Sequence, residues 1–427
     1  MNKTENTSPE SAGSNAIAVD LNQVVYALSD ALDLVGIDDV GHGKRVGVMA
    51  ESCARTVGLP EQQVGFLFGL GLLHDIGVSS TVVHSHLVSE FDWSGSQVHC
   101  EIGHDMLRNF APLRDMALPI RYHHTRWDKL LARPEGADVI AEQANLIFMV
   151  DRVDALAAPH YADGSLLMST ESIRDTIKRY SGSYFAPHWV DAFLQSSASE
   201  AYWLQLEERS LQASLRDRLG LDTPHPASMS ELKQLAEIFS RIVDAKSPFT
   251  AEHSLGVAKL SRFIAERMNV SPGNCDKIEI AGLLHDLGKL RVPDEVLDKP
   301  GALDERERWV INSHSYETFQ ILHQIDGFDE VTRWAAYHHE ELDGSGYPFG
   351  LQGSALPLEA RILRVADIFQ AMVQDRPYRR GLSVDAVLAF MNDLVRQNRV
   401  EGEIVAVLEG DMPGAMAAAL HYIHPES

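Results

Sequence analysis

His285-Asp286-Leu287-Gly288-Lys289 follows Leu283-Leu284 and runs on into Leu290-Arg291-Val292-Pro293. It closes an apolar run, Ile278 to Leu284, and a run apolar all round belongs inside a helical bundle. An adjacent His and Asp are costly to place beside a core. A buried carboxylate has to be paired or to coordinate a metal, because desolvating it alone costs many kcal/mol. Alone, the stretch reads equally as a hydrogen-bonded His and a capping Asp. The rest of the chain decides between the two.

Working outward, the same landmarks recur upstream. His42 and His253 are 211 residues apart, and so are His74-Asp75 and His285-Asp286. His99 and His314 are separated by 215, as are His123-His124 and His338-His339, and Asp151 and Asp367 by 216. Seven residues of metal-ligand type thus recur in one order with small insertions, which points to duplication of one helical unit. A single His on an apolar face is usually a satisfied core histidine, but two ordered sets are not explained that way. Imidazole and carboxylate suit redox-active or hydrolytic divalent metals without any thiolate. His338-His339 is informative in itself. Neighbours on a helix point about 100° apart, so both reach one site only near a helix end, and Glu340 to Gly344 supplies that end.

The pattern between these landmarks is helical. Leu21, Val24, Val25, Leu28, Leu32 and Val35 recur at three- and four-residue steps, and Leu232, Leu235, Ile238, Phe239 and Ile242 repeat that stripe. Further helices are expected over 46–57, 64–73, 100–110, 118–124, 137–157 and 169–180. Strand signals are nearly absent, so the expected class is all-α: two tandem helical-bundle domains. Residues 1–18 are polar and small and read as a disordered tail. The first domain is expected over 19–195. An exposed helical linker and a break at Asp222-Thr223-Pro224-His225-Pro226 fill 196–229, and the second domain takes 230–427.

Composition narrows the function. The 427 residues carry a net charge of -24, with 45% hydrophobic and 23% charged residues. That balance argues against a DNA or RNA polymer or an anionic membrane as partner. Cys53, Cys100 and Cys275 are few, odd in number and far apart, which suits a reducing cytoplasm and small buried side chains rather than a disulfide framework. No leader-like apolar core opens the chain, and no apolar run reaches the length of a membrane helix.

The second half resembles the HD-GYP family. The resemblance rests on His285 to Lys289, His338-His339-Glu340, Asp343-Gly344-Ser345-Gly346-Tyr347-Pro348, Pro357 to Ile362 and Asp375-Arg376-Pro377-Tyr378-Arg379. It covers about 230–410; the wider HD superfamily covers the first half more weakly. The resemblance implies an all-helical fold, a buried metal centre, and phosphodiesterase activity on a bacterial cyclic dinucleotide. It implies one metal on His253, His285, Asp286 and Asp367, another on Asp286, His314, His338 and His339, and Lys289 on phosphate. Some members hold a third metal through a Glu four residues before the first His. Here that position is Phe249, so two ions are expected, iron or manganese. Glu252, next to His253, is expected to be solvated.

The expected reaction is hydrolysis of cyclic di-GMP or 3'3'-cyclic GMP-AMP to the linear dinucleotide by a metal-bridged hydroxide, since two close metals can activate water and clamp phosphate. Asp286 and Lys289 are the catalytic candidates. Gly346, Tyr347, Pro348, Arg376 and Arg379 are candidate substrate contacts, Arg forks matching phosphate oxygens; Arg380 is equally a solvated residue. Tyr347 either stacks on a base or packs under its loop. The competing reading is a non-catalytic cyclic dinucleotide receptor that signals through a partner. A homodimer is a further expectation left open. The first half keeps a full second set: His42, His74, Asp75, His99, His123, His124 and Asp151. It lacks the lysine, with Val78 in its place, and the Gly-Tyr-Pro loop, with Thr125 to Leu130 following His124. It is expected to be a degenerate partner that binds metal, ligand or a regulatory signal. His84 and His86 are expected on a surface loop.

Overall fold

The structure is a computed structural model that describes residues 19–35, 41–134, 136–161, 163–219, 225–246, 252–375 and 380–420. The tail 1–18, Phe249, Arg376 and Arg379 lie outside them. Among the described residues the fold is all-α, with no strand beyond isolated bridges at Asp20–Pro226 and Ser181–Phe185.

Six helices of the first half frame its landmarks: α1 (Leu21–Asp33), α2 (His42–Thr56), α3 (Glu61–Leu73), α4 (Gln97–Leu107), α5 (Ala117–Tyr122) and α6 (Val139–Tyr161). Six follow in the same order in the second: α7 (Met229–Lys246), α8 (His253–Arg267), α9 (Pro272–Leu284), α10 (Glu305–Leu322), α11 (Asp329–Ala336) and α12 (Leu358–Val373). Their ends are written in the sequence. Asp20 caps α1 by accepting from Asn22 N at 3.0 Å. Ser271 caps α9, with Pro272 pre-set for its first turn. Asp304 and Glu307 form a reciprocal capping box on α10.

The two middle helices of each half, α2 with α3 and α8 with α9, bury apolar faces against each other. Val46, Met49, Ala50, Leu70 and Leu73 are buried in one pair, and Val257, Leu260, Ile280 and Leu283 in the other. The halves touch. Gln23 Nε2 donates to Asp326 Oδ2 at 3.1 Å and Gln324 Nε2 to Asp30 Oδ2 at 2.9 Å. Asp294 accepts from Ser80 Oγ (2.8 Å), Thr81 N (2.9 Å) and the buried Lys246 Nζ (2.9 Å).

Two expectations need correction. The linker is not one exposed helix. It breaks into Glu200–Leu204 and Glu208–Leu219, and Trp203, Leu206, Leu211 and Leu215 are buried. Its charged residues masked an apolar stripe that packs on the first half. His84 and His86 lie on a helix, Thr81–Ser89, capped by Ser80, and His86 stacks on Trp93.

Candidate metal centre

All but one of the second-half ligand candidates sit where a helix begins or ends, or on the long helix behind. In the second half His253 opens α8, His285 and Asp286 follow α9, His338 and His339 follow α11, and Asp367 comes from α12. His314 is the exception, from within α10. The chain turn after α9 is held by close packing. A Cβ on Gly288 would lie 2.1 Å from the His314 carbonyl oxygen, so only glycine lets the His-Asp turn meet α10. Thr318 Oγ1 fastens the same contact, donating to His285 O at 3.1 Å and accepting from Gly288 N at 3.0 Å.

All seven expected ligands converge. Asp286 faces both ways. Its Oδ2 lies 3.7 Å from His253 Nε2 and 3.4 Å from His285 Nε2; its Oδ1 lies 3.4 Å from His314 Nε2 and 3.8 Å from His338 Nε2. Asp367 Oδ1 is 3.3 Å from His253 Nε2. His253, His285 and Asp367 form one group of close donors, and His314, His338 and His339 another.

Second contacts set which ring nitrogen faces inward. Nδ1 of His285, His314 and His338 donates to the carbonyls of Gly282, Ile311 and Ala335 at 2.6–2.8 Å, so each neutral ring turns an Nε2 lone pair to the centre. His253 Nδ1 donates to Gln370 Oε1 at 2.5 Å. His339 differs. Its Nδ1 accepts from Arg364 Nη1 at 3.0 Å, because a guanidinium can only donate. With Arg364 donating, the neutral His339 ring carries its proton on Nε2, the opposite tautomer to the carbonyl-anchored rings.

Protonation suits a cation. Burial pushes His285, His338 and His339 below the ordinary imidazole range, and His314 down to about 4. Burial opposes the charge of His253 too, but Asp367 beside it raises it. Burial favours a neutral Asp286, yet His285, Lys289 and His314 hold it well below the usual carboxylate range. The residues fit metal ions on a direct observation. Asp286 Oδ1 and His285 Nε2 are buried and make no hydrogen bond. A buried charged oxygen without a partner is costly unless a cation meets it.

Lys289 reaches the mouth of the cage and pairs with Asp286 Oδ2. The Gly-Tyr-Pro loop stands over His339. The Tyr347 ring stacks on His339 with centroids 4.8 Å apart at 29°, and Tyr347 N donates to His339 O. Tyr347 thus packs under its loop. Gly346 is pressed on Glu341 N, which a Cβ would approach to 2.4 Å. Glu340 accepts from Phe349 N (2.7 Å) and Leu351 N (2.9 Å), so its carboxylate fixes the loop exit. Arg380 and Glu252 are exposed. The sequence reading missed Gln370, Arg364 and Glu340 as supports of the ligands and loop. Only their positions one helical turn from Asp367, or beside His339, hinted at such roles.

The first-half set converges as well. Asp75 Oδ1 lies 3.2 Å from His99 Nε2 and 3.6 Å from His123 Nε2, and His42 Nε2 lies 3.5 Å from Asp151 Oδ1 and 3.3 Å from His74 Nε2. Gly77 repeats the close contact, its Cβ position lying 2.1 Å from His99 O. The surroundings differ. Val78 is buried where Lys289 stands. Asp154, paired with Arg45, takes the place of Gln370 behind His42. Phe148 meets the His124 ring where Arg364 meets His339.

An all-helical frame closing a buried imidazole and carboxylate cage around one two-faced aspartate defines a metal-dependent protein of the HD class. The HD-domain family model matches residues 237–404. The 3'3'-cGAMP-specific phosphodiesterase 1 of Vibrio cholerae is 36% identical over 399 residues, 91% of each chain. A cyclic di-GMP phosphodiesterase response regulator of Xanthomonas campestris pv. campestris is 38% identical over 194 residues, 44% of this chain and 51% of that one. The crystal structure of a cyclic GMP-AMP-specific phosphodiesterase from V. cholerae matches with a TM-score of 0.63 at 26% identity, covering 95% of this chain and 99% of that one. The chain belongs to the HD-GYP family of HD-domain proteins.

Proposed function

We propose that this chain is a phosphodiesterase that opens 3'3'-cyclic GMP-AMP to the linear dinucleotide, with the reaction run by the second half. The observation that carries this is Asp286, whose two buried oxygens face two separate groups of histidines. The choice of nucleotide rests on the cyclic GMP-AMP-specific relative that matches 91% of both chains. Two HD-type domains, 19–195 and 230–427, joined by 196–229, are the matching organisation, and the cytoplasm the matching compartment. No helix among the described residues is long and apolar enough to cross a membrane.

His253, His285, Asp286 and Asp367 would hold one divalent ion, and Asp286, His314, His338 and His339 a second, iron or manganese by ligand type. When bound, such a pair supplies activated water and positive charge for a phosphoryl group. The chain's own residues do the rest. The carbonyl-anchored histidines keep their Nε2 atoms aimed inward before anything binds. Lys289, held at Asp286, is placed to exchange that carboxylate for a phosphate oxygen and to stabilise charge developing on it. Glu340 keeps the Gly-Tyr-Pro loop over the centre.

The test is an anaerobic turnover assay on both cyclic dinucleotides with iron or manganese supplied. Faster release of linear product from cyclic GMP-AMP is expected, and His285→Ala or Asp286→Ala should abolish it. Tight binding with no linear product would establish the receptor reading instead. Preference for cyclic di-GMP would overturn the substrate assignment alone.

A further inference from the structure

Cys100 was expected to be a small buried side chain, and it is fully buried. Its surroundings are not apolar. Its Sγ lies 3.7 Å from His99 Nε2 and 4.0 Å from His123 Nε2, and those two nitrogens are 3.2 Å apart. Asp75 Oδ1 completes the group at 3.2 and 3.6 Å from the same nitrogens, buried and without a hydrogen bond. His123 Nδ1 donates to Ile120 O at 2.6 Å, leaving its Nε2 lone pair inward. With zinc bonds of about 2.0–2.3 Å, tetrahedral donors sit roughly 3.3–3.7 Å apart, which is close to these separations. In the second half the equivalent position is Ser315, whose hydroxyl lies 3.2 Å from His314 Nε2. A thiol there changes the donor chemistry in kind.

The other side of the first-half cage has changed in the opposite sense. Arg152 forks onto Asp151, with contacts of 3.0–3.2 Å, and is itself anchored on the carbonyls of Leu87 and Glu90 at 2.8 Å. Both side chains are buried. The guanidinium supplies the positive charge that Asp151 would otherwise seek. The second half has Ile368 at this position, and there Asp367 joins His253 and His285 in one donor group. In the first half the corresponding group is His42, His74 and Asp75, without Asp151.

We propose that the first half holds a single borderline-soft divalent ion of the zinc class on Asp75, His99, His123 and the thiolate of Cys100, and that its Asp151 side holds none. The close donors here are Asp75, His99, His123 and His124; Cys100 stands outside that group, against His99 and His123, and competes with His124 for the fourth position. On ligation the thiol gives up its proton and its bond to Ser96 O, 3.2 Å long in this structure. A thiolate favours zinc or cobalt over the harder ions suited to the all-imidazole and carboxylate cage of the second half. With Val78 in place of the lysine, this centre is a binding site and not a second place of hydrolysis.

The test uses metal-free full-length protein titrated anaerobically with cobalt(II). Thiolate ligation gives a near-ultraviolet charge-transfer band, expected to saturate at one equivalent per chain. Cys53→Ser and Cys275→Ser serve as controls and should leave the band in place. Cys100→Ser, which installs the residue found at the equivalent position, should remove the band while the visible bands of the second-half site remain. His314→Ala should spare the thiolate band. If Cys100→Ser fails to fold, His123→Gln should remove the band in its place. Cobalt binding with no thiolate band, or a band that survives Cys100→Ser, would overturn the proposal.

Discussion

Lys289 and Gln370 both touch the second-half cage, but from opposite sides, and their substitution should separate two kinds of loss. Lys289 pairs with Asp286 from the open side. Lys289→Ala should lower kcat by about 10²–10³-fold, the scale of losing one preorganised charge at a reacting group, while metal content measured on the purified protein stays the same. Gln370 orients His253 from behind. Gln370→Leu frees that ring, and metal affinity should fall by about 10–100-fold, with activity recovering as iron or manganese is raised. The convergence of these histidines and aspartates was legible in the sequence because their types and order repeat. Gln370, Arg364 and Arg152 were not. Gln370 and Arg364 meet residues far away in the chain, and Arg152, though next to Asp151, is aimed at it by the carbonyls of Leu87 and Glu90; these pairings exist only after folding.

At the scale of elements, helix existence was legible from apolar periodicity, and the ends from Pro and capping residues. The long-range contacts that position the ends were not. Gly288 and Gly77 read locally as turn residues, whereas their role is to let each His-Asp turn lie against the carbonyl of a histidine on the next helix. Gly288→Ala should therefore destabilise the protein by about 1–3 kcal/mol, as overpacking of a well-filled interior does. A lowered denaturation midpoint would show it, accompanied by loss of metal, because His285, Asp286 and His314 shift together. The linker failed for a related reason. Glu207, Glu208 and Arg209 dominated its appearance, while the alternation of Trp203, Leu206, Leu211 and Leu215 recorded the surface beneath.

The molecule as a whole carries its buried histidines in duplicate, and this sets its response to acid. Burial lowers both His74 and His314 to about 4, and holds His124, His338 and His339 well below the ordinary imidazole range. Unfolded, each would titrate near 6.5. Between pH 6.5 and 4 the unfolded chain binds more protons than the folded one, so stability rises with pH across that window. Above pH 6.5 both states are neutral at these positions and their contribution is constant. Metal-free protein should show a thermal midpoint that climbs from pH 4 to 6.5. A midpoint flat across that range would contradict the neutral, buried state of these rings. His42 and His253, raised by Asp151 and Asp367, and His99 and His123, raised by Cys100 and Asp75, work in the opposite sense and flatten the slope near neutrality.

The contact of Gly288 with the His314 carbonyl also bears on the design of inhibitors. Because that turn cannot move without moving the helix behind it, the floor of the site is a rigid surface. A compound whose affinity comes from grasping the metal cage meets little there that can adapt to it. Selectivity has to be built against the rim instead. There Phe349, exposed at 37%, packs on Phe319 and Tyr337, and the carboxylate of Glu340 holds the backbone that follows Tyr347.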